Sequence, residues 1–193
     1  MSLDRRLFLD VNDFQRATGW LHGIGLSYAK LLGPGLLTVL LLAGVVVGRR
    51  RGAPVLAAAL WAGLSTLVAV GLNQPLVHAF GRARPYAALQ HVSLLGTPSV
   101  DGSFPSDHAT LAGATLVGLL LVDRRLGLAA AAVGLLLAAT RVYVGAHYPG
   151  DVLAGLVVGG VVAGLGWLVV RRPLTAVVEL LARTRLRRVL TAA

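Results

Sequence analysis

The chain of 193 residues contains no cysteine. That excludes a disulfide framework, a thiolate metal site and a cysteine nucleophile. Charge is scarce as well: Asp, Glu, Lys and Arg make up 13% of the residues, against about 25% in an average soluble domain. Aromatic residues amount to 6%, and lysine occurs once, as Lys30. So little charge beside a hydrophobic content of 56% excludes a disordered or fibrous chain and disfavours a soluble one. An integral membrane protein is the class that remains, and 24 glycines fit it. The charge that is present has one dominant sign, with 18 basic against 8 acidic residues. In a soluble domain this would point to nucleic acid. Here the arginines flank apolar runs, so they read as anchors against an anionic leaflet and no nucleic-acid partner is expected.

Five apolar runs span roughly 31–48, 53–72 (extendable to 80), 109–122, 126–140 and 152–170. The expected fold class is all-α: an integral membrane helical bundle of about five transmembrane helices, or six if residues 20–32 also cross. A span needs about 17–25 apolar residues, so runs 109–122 and 126–140 are short unless residues 106–108 and 141–147 also lie at membrane depth. Polar groups are expensive there and need a reason. The links Arg49–Arg51, Arg124–Arg125 and Arg171–Arg172 fall at one end of the runs, which the positive-inside rule makes cytoplasmic. The opposite, extracytoplasmic end carries residues 73–107 and 141–151.

Residues 1–30 read as an interfacial amphipathic helix followed by a second short helix over about 20–30. They hold Asp4, Asp10 and Asp13 and no continuous apolar core, so no cleaved signal peptide is expected. Residues 31–172 form the transmembrane unit. Residues 173–193, with Arg183, Arg185, Arg187 and Arg188, read as a basic amphipathic tail on the cytoplasmic leaflet. A multi-pass protein of the cell membrane is expected.

Three polar clusters share the outer end: Gly81-Arg82-Ala83-Arg84-Pro85-Tyr86, Ser103-Phe104-Pro105-Ser106-Asp107-His108, and residues 140–151 with Arg141, His147 and Asp151. Arg82, Arg84 and Arg141 offer planar forks suited to phosphate oxygens. Ser106 and His108 open a helix whose free N–H groups favour an anion. His147 stands just before a helix begun by Pro149, and Asp151, four residues on, is near enough to accept from one imidazole nitrogen. That pattern describes an imidazole nucleophile attacking phosphorus, with His108 protonating the leaving oxygen. The implied reaction is phosphoryl transfer to water through a phosphohistidine. The arginines supply the positive charge, so neither metal nor cofactor is expected. His22, His91, Trp20, Trp61 and Trp167 read as packing or interface residues, and Tyr86 either lines the entrance or packs.

These residues resemble the type-2 phosphatidic acid phosphatase superfamily, which shares its site with vanadium haloperoxidases. The family pattern KxxxxxxRP, PSGH, SRxxxxxHxxxD is matched by Arg84-Pro85, by Pro105-Ser106-Asp107-His108, and by Arg141, His147 and Asp151 at the family spacing. The resemblance covers about residues 73–165. It implies His147 as nucleophile, Asp151 as its orienting partner, His108 as general acid, and Arg84, Ser106 and Arg141 as phosphate ligands. Three positions depart from the pattern. Val77 stands where the family has Lys, leaving Arg82 or His78 as possible substitutes. Asp107 replaces Gly, keeping its backbone N–H for phosphate but adding a carboxylate. Thr140 replaces Ser. The combination is similar to the undecaprenyl-diphosphatase branch, which implies removal of one phosphate from an isoprenoid diphosphate outside the membrane, recycling the bacterial cell-wall lipid carrier. The alternatives are a glycerophospholipid phosphatase acting on phosphatidic acid or phosphatidylglycerophosphate, and a non-enzymatic anion transporter. The lipid substrate and membrane lipids are the expected partners, with the oligomeric state open.

Overall fold

The computed structural model describes residues 1–184. Eight α-helices follow in order: α1 Leu3–Ala17, α2 His22–Ser27, α3 Gly33–Arg51, α4 Ala53–Phe80, α5 Pro85–Ala88, α6 Asp107–Leu120, α7 Arg124–Tyr143 and α8 Pro149–Ala182. No strand occurs among the described residues.

Four helical stretches are long and apolar enough to cross a membrane: Gly19–Arg51, Ala53–Ala88, Arg124–Tyr143 and Pro149–Ala182. They account for four of the five expected runs. The fifth run is α6, which at 14 residues is about 21 Å long, less than a hydrocarbon core of about 30 Å. It occupies the centre of the bundle, packed against α3, α4, α7 and α8.

Two boundaries differ from the sequence expectation. Residues 20–32 are not a crossing of their own. They continue into α3 through a π turn at Tyr28–Leu32. The turn widens the helix just ahead of Pro34, whose missing N–H would break a regular ladder. At the other end, α8 passes through Pro173 and reaches Ala182. Val178 and Leu174 pack on Leu56 and Ala57 of α4, and that burial keeps the helix going past residue 172. Arg185, Arg187 and Arg188 of the expected tail lie outside the described residues.

Helix order and short links put alternate helix ends together. The ion pair of Arg51 with Asp123, at 2.9 Å, joins the α3 and α7 ends. Asp123 also caps α7, accepting from the Arg125 and Leu126 N–H groups at 2.8 and 3.3 Å. The three polar clusters meet at the opposite end. Leu67, Leu72, Val157, Leu165 and Val169 stay exposed on the outside of the bundle, as lipid-facing side chains do.

The closest packing is between α6 and α8, and glycine allows it. A Cβ at Gly159 would lie 1.9 Å from the Thr110 carbonyl oxygen, one at Gly113 2.1 Å from that of Leu156, and one at Gly155 2.5 Å from that of Ser106. Gly155 and Gly159 form a GxxxG pair, which lets two backbones touch where lipid offers no hydrophobic drive to associate. Gly159→Ala is expected to destabilise the fold by about 1–3 kcal/mol, whereas Gly63→Ala, which meets nothing within 4 Å, is neutral. Thermal unfolding of the two variants in detergent checks this.

Candidate active site

α4 ends at Gly81, whose left-handed φ of 53° lets its N–H return to the Val77 carbonyl at 3.1 Å. The chain then leads through Arg82 and Arg84 to Pro85, which opens α5. On the facing side, Ser106 precedes α6, and residues 144–148 join α7 to α8. The Ser106 N–H donates to the Asp151 carbonyl at 3.1 Å, tying the start of α6 to the first turn of α8.

His147 is buried, at 2% exposure. Its Nδ1 lies 2.8 Å from the Ser103 carbonyl oxygen. A carbonyl only accepts, so Nδ1 carries the proton and Nε2 presents its lone pair. Nε2 lies 3.2 Å from Nη1 of Arg84, which donates to it and to the Ala146 carbonyl, also at 3.2 Å. Arg84 Nε donates to the Asp101 carbonyl at 2.9 Å. Burial lowers the His147 pKa from the usual histidine value more than any other influence. Asp151 opposes the shift, and the Arg141 and Arg84 charges add to it. Burial thus favours the neutral imidazole.

Asp151 is placed differently from expectation. Its Oδ2 is 3.8 Å from His147 Nδ1, beyond hydrogen-bond reach. That oxygen accepts instead from the Tyr148 N–H at 2.8 Å, and Oδ1 takes Arg82 Nη1 at 2.6 Å. The reason is local: Asp151 sits in the first turn of α8, where its carboxylate folds back on the N-cap backbone. It therefore fixes the backbone beside His147 and sets its field, while Ser103 fixes the tautomer.

Arg82 also departs from expectation. It spans Asp151 and Asp4, donating Nη2 to Asp4 Oδ2 at 2.6 Å, and its guanidinium lies 4.0 Å from the centroid of the Tyr148 ring. Asp4 accepts in addition from the Gly150 N–H at 2.7 Å. Two carboxylates claim the fork, so Arg82 is a structural clamp between α1 and α8. It does not line the cavity beside His147. His78, the other possible substitute for the motif lysine, bonds the Gln74 carbonyl at 2.7 Å and does not line it either.

That cavity holds about 250 Å³ and is lined by Lys30, Arg84, Asp107, His108, Arg141 and His147, among others. Arg141 Nε and Ser106 Oγ are buried without a partner. A buried donor left unpaired costs roughly 1–3 kcal/mol, and phosphate oxygens would satisfy such groups. Ser106 itself stands one residue behind the cavity wall, between Pro105 and Asp107, which both line it. Asp107 Oδ1 accepts from Asn73 Nδ2 at 2.7 Å and Gln74 Nε2 at 2.9 Å, which draws the carboxylate toward α4. Tyr86 lines the cavity, its hydroxyl donating to the Ser99 carbonyl at 2.9 Å. Among the described residues no cluster of three or more His, Asp or Glu side chains is arranged for a metal.

Ser103, Asp4, Lys30, Asn73 and Gln74 were not assigned a part from the sequence. Asn73 and Gln74 did carry a signal, as amides interrupting an apolar run. Asp4 and Lys30 carried none.

The family model of the PAP2 superfamily matches residues 58–174, and the chain belongs to that superfamily. It is 36% identical over 106 residues to "Undecaprenyl-diphosphatase BcrC" of Bacillus subtilis (strain 168), covering 55% of this chain and 54% of that one. It is 41% identical over 102 residues to a "Lipid A 1-phosphatase" of Rhizobium etli, covering 50% and 44%. The chain thus spans about half the length of the curated relatives it matches. Two crystal structures share the fold. One is the transmembrane PAP2 type phosphatidylglycerolphosphate phosphatase of Bacillus subtilis (TM-score 0.62, 23% identity, 94% of this chain and 87% of that one). The other is Aquifex aeolicus LpxE (TM-score 0.65, 24% identity, 87% and 96%). With its long apolar helices, the chain is a multi-pass membrane protein.

Asp151→Asn removes the charge that opposes the lowering of the His147 pKa, so that pKa falls further. The acid limb of kcat/KM, which marks loss of neutral His147, is expected to move to lower pH. Turnover is expected to drop about 10–100-fold as the backbone clamp loosens. A pH–rate profile checks both.

Proposed function

We propose that the chain is a lipid phosphatase that hydrolyses an isoprenoid diphosphate to the monophosphate through a phosphohistidine at His147. The observation that carries this reading is His147 itself, with Nδ1 held by the Ser103 carbonyl and Nε2 at a cavity lined by Arg84, Arg141 and His108. In the first step Arg84 Nη1 passes from Nε2 to a phosphate oxygen, and the freed Nε2 lone pair attacks the terminal phosphorus. The bond from that phosphorus to the bridging oxygen breaks, and the oxygen leaves with the electron pair, taking a proton from His108. The His108 pKa, lowered to about 4 by burial and the Arg141 charge, is raised by the negative charge of the bound phosphate. Water then attacks the phosphohistidine, giving up a proton to His108, and releases inorganic phosphate. Arg84 and Arg141 hold the equatorial oxygens, while the backbone N–H groups of Asp107 and His108 at the start of α6 face the same charge.

A lipid substrate is supported by a second cavity, of about 770 Å³ and almost wholly apolar, between α1, α2, α7 and α8. Residues 21–30 border both cavities: Leu26 and Lys30 the polar one, Leu21, Ile24, Gly25 and Tyr28 the apolar one. A headgroup and its chain would thus lie on either side of one helical segment. The isoprenoid reading draws on the likeness to the undecaprenyl-diphosphatase relative. A glycerophospholipid phosphatase is the second reading, favoured by the shared fold with the phosphatidylglycerolphosphate phosphatase. Phosphate release from an isoprenoid diphosphate, phosphatidylglycerophosphate and phosphatidic acid by the purified protein separates the two. The isoprenoid diphosphate is expected to give the highest kcat/KM, and His147→Ala to lower it about 10³-fold or more.

The arginines of residues 49–51, 124–125 and 171–172 support a cytoplasmic location for their end of the bundle, and hence an extracytoplasmic site. In this cysteine-free chain, Val100→Cys, at a fully exposed position of the loop on the site side, is expected to react with an impermeant maleimide on intact cells. Arg50→Cys, at the other end, is expected to react only after lysis. The reverse pattern would favour a cytoplasmic-leaflet phospholipid.

A further inference from the structure

Lys30 is the chain's single lysine, and no part of the chemistry above uses it. It lies in the π turn, one helical turn beyond Leu26, and both line the polar cavity. Its amine packs against the loop at Gly96, where a Cβ would meet Nζ at 3.1 Å. Gly96 has a φ of 99°, so the loop turns there without a side chain and leaves room for the ammonium. Among the described residues Lys30 makes no ion pair and no hydrogen bond. Lys30 is exposed at the polar end of the segment, so its ammonium is free to meet an anion brought into the cavity.

The fixed charges of the cavity indicate what that counter-charge is. Arg84 and Arg141 stand against the carboxylates of Asp101 and Asp107, so these four cancel and Lys30 alone leaves the lining with a net positive charge. Asp107 is already held by Asn73 and Gln74, and Asp101 Oδ2 by the Ser99 hydroxyl at 3.2 Å. Arg84 and Arg141 serve the phosphate in line with His147. Lys30 approaches from the other wall, on the segment whose far face borders the apolar cavity. It therefore faces the part of a substrate between the transferred phosphate and the lipid chain.

We propose that Lys30 is a substrate-binding residue for the second phosphate of a lipid diphosphate, the one that stays with the lipid. This rests on the diphosphate reading above. When the bond between the terminal phosphorus and the bridging oxygen breaks, the bridging oxygen takes its proton from His108, and the Lys30 ammonium offsets the negative charge that the other oxygens of the lipid phosphate keep.

Binding of methylenediphosphonate and of methylphosphonate to the full chain in detergent, followed by calorimetry, tests this without turnover, because neither probe can be hydrolysed. The wild type is expected to prefer the diphosphonate. Lys30→Gln is expected to weaken the diphosphonate about tenfold and the monophosphonate less than about twofold, and Lys30→Arg to keep the preference. Equal weakening of both probes, no change in either, or a wild type without preference would overturn the assignment and leave Lys30 as an interfacial anchor. The parent reading fails separately. A wild type that binds the diphosphonate through Lys30 yet releases no phosphate from an isoprenoid diphosphate would keep this subsite and discard that substrate.

Discussion

The site depends on the contact of two helix backbones. Gly155 and Gly159 of α8 lie against the Ser106 and Thr110 carbonyls of α6, and Gly113 of α6 against that of Leu156. Side chains at these positions would push the helices apart. The distance at which they cross sets how near the start of α6 comes to the start of α8. There the Ser106 N–H meets the Asp151 carbonyl, and the elements carrying His108 and His147 border one cavity. The same glycines let α6 sit at the centre of the bundle, with its polar end opening into that cavity. Packing and chemistry thus share one constraint.

A second constraint is the handling of charge in a chain that has little of it. The buried carboxylate of Asp151 would be costly alone. It is matched by Arg82 and by the Tyr148 N–H, and Arg82 is shared with Asp4 of the N-terminal helix. Asp4 also sits on the Gly150 N–H at the positive end of α8. The N-terminal helix therefore braces the start of α8 from behind the site. A second tie comes from Asn12, whose amide nitrogen donates to the Ser93 carbonyl at 2.8 Å while its oxygen accepts the Ser93 N–H at 3.0 Å. Arg141, by contrast, lines the cavity with its Nε buried and unpartnered.

Much of this was legible in the sequence for local reasons. The apolar runs are continuous in the chain, and the motif residues fall at fixed short spacings, so the helices and the grouping of His108, Arg141 and His147 could be read directly. The parts that were not legible link residues far apart. Arg82 meets Asp4, His147 meets Ser103, and Lys30 reaches a cavity built mainly by residues beyond position 84. No periodicity encodes such pairings. The i,i+4 spacing of His147 and Asp151 suggested a hydrogen bond that the capping geometry of α8 redirects to the Tyr148 backbone. The length of α8 was not legible either, because burial of Val178 against α4, a contact between distant residues, carries the helix past Pro173 to Ala182.

The central claim is a covalent bond between His147 Nε2 and phosphorus, and trapping that bond tests it most directly. Isoprenoid diphosphate labelled at the terminal phosphorus would be mixed with the protein, quenched in alkali within one turnover, and the peptides analysed for phosphate. The account predicts label on the peptide containing His147, stable to alkali, lost in acid, and absent from His147→Ala. Label on another residue, or rapid turnover with no labelled His147 peptide, would contradict it.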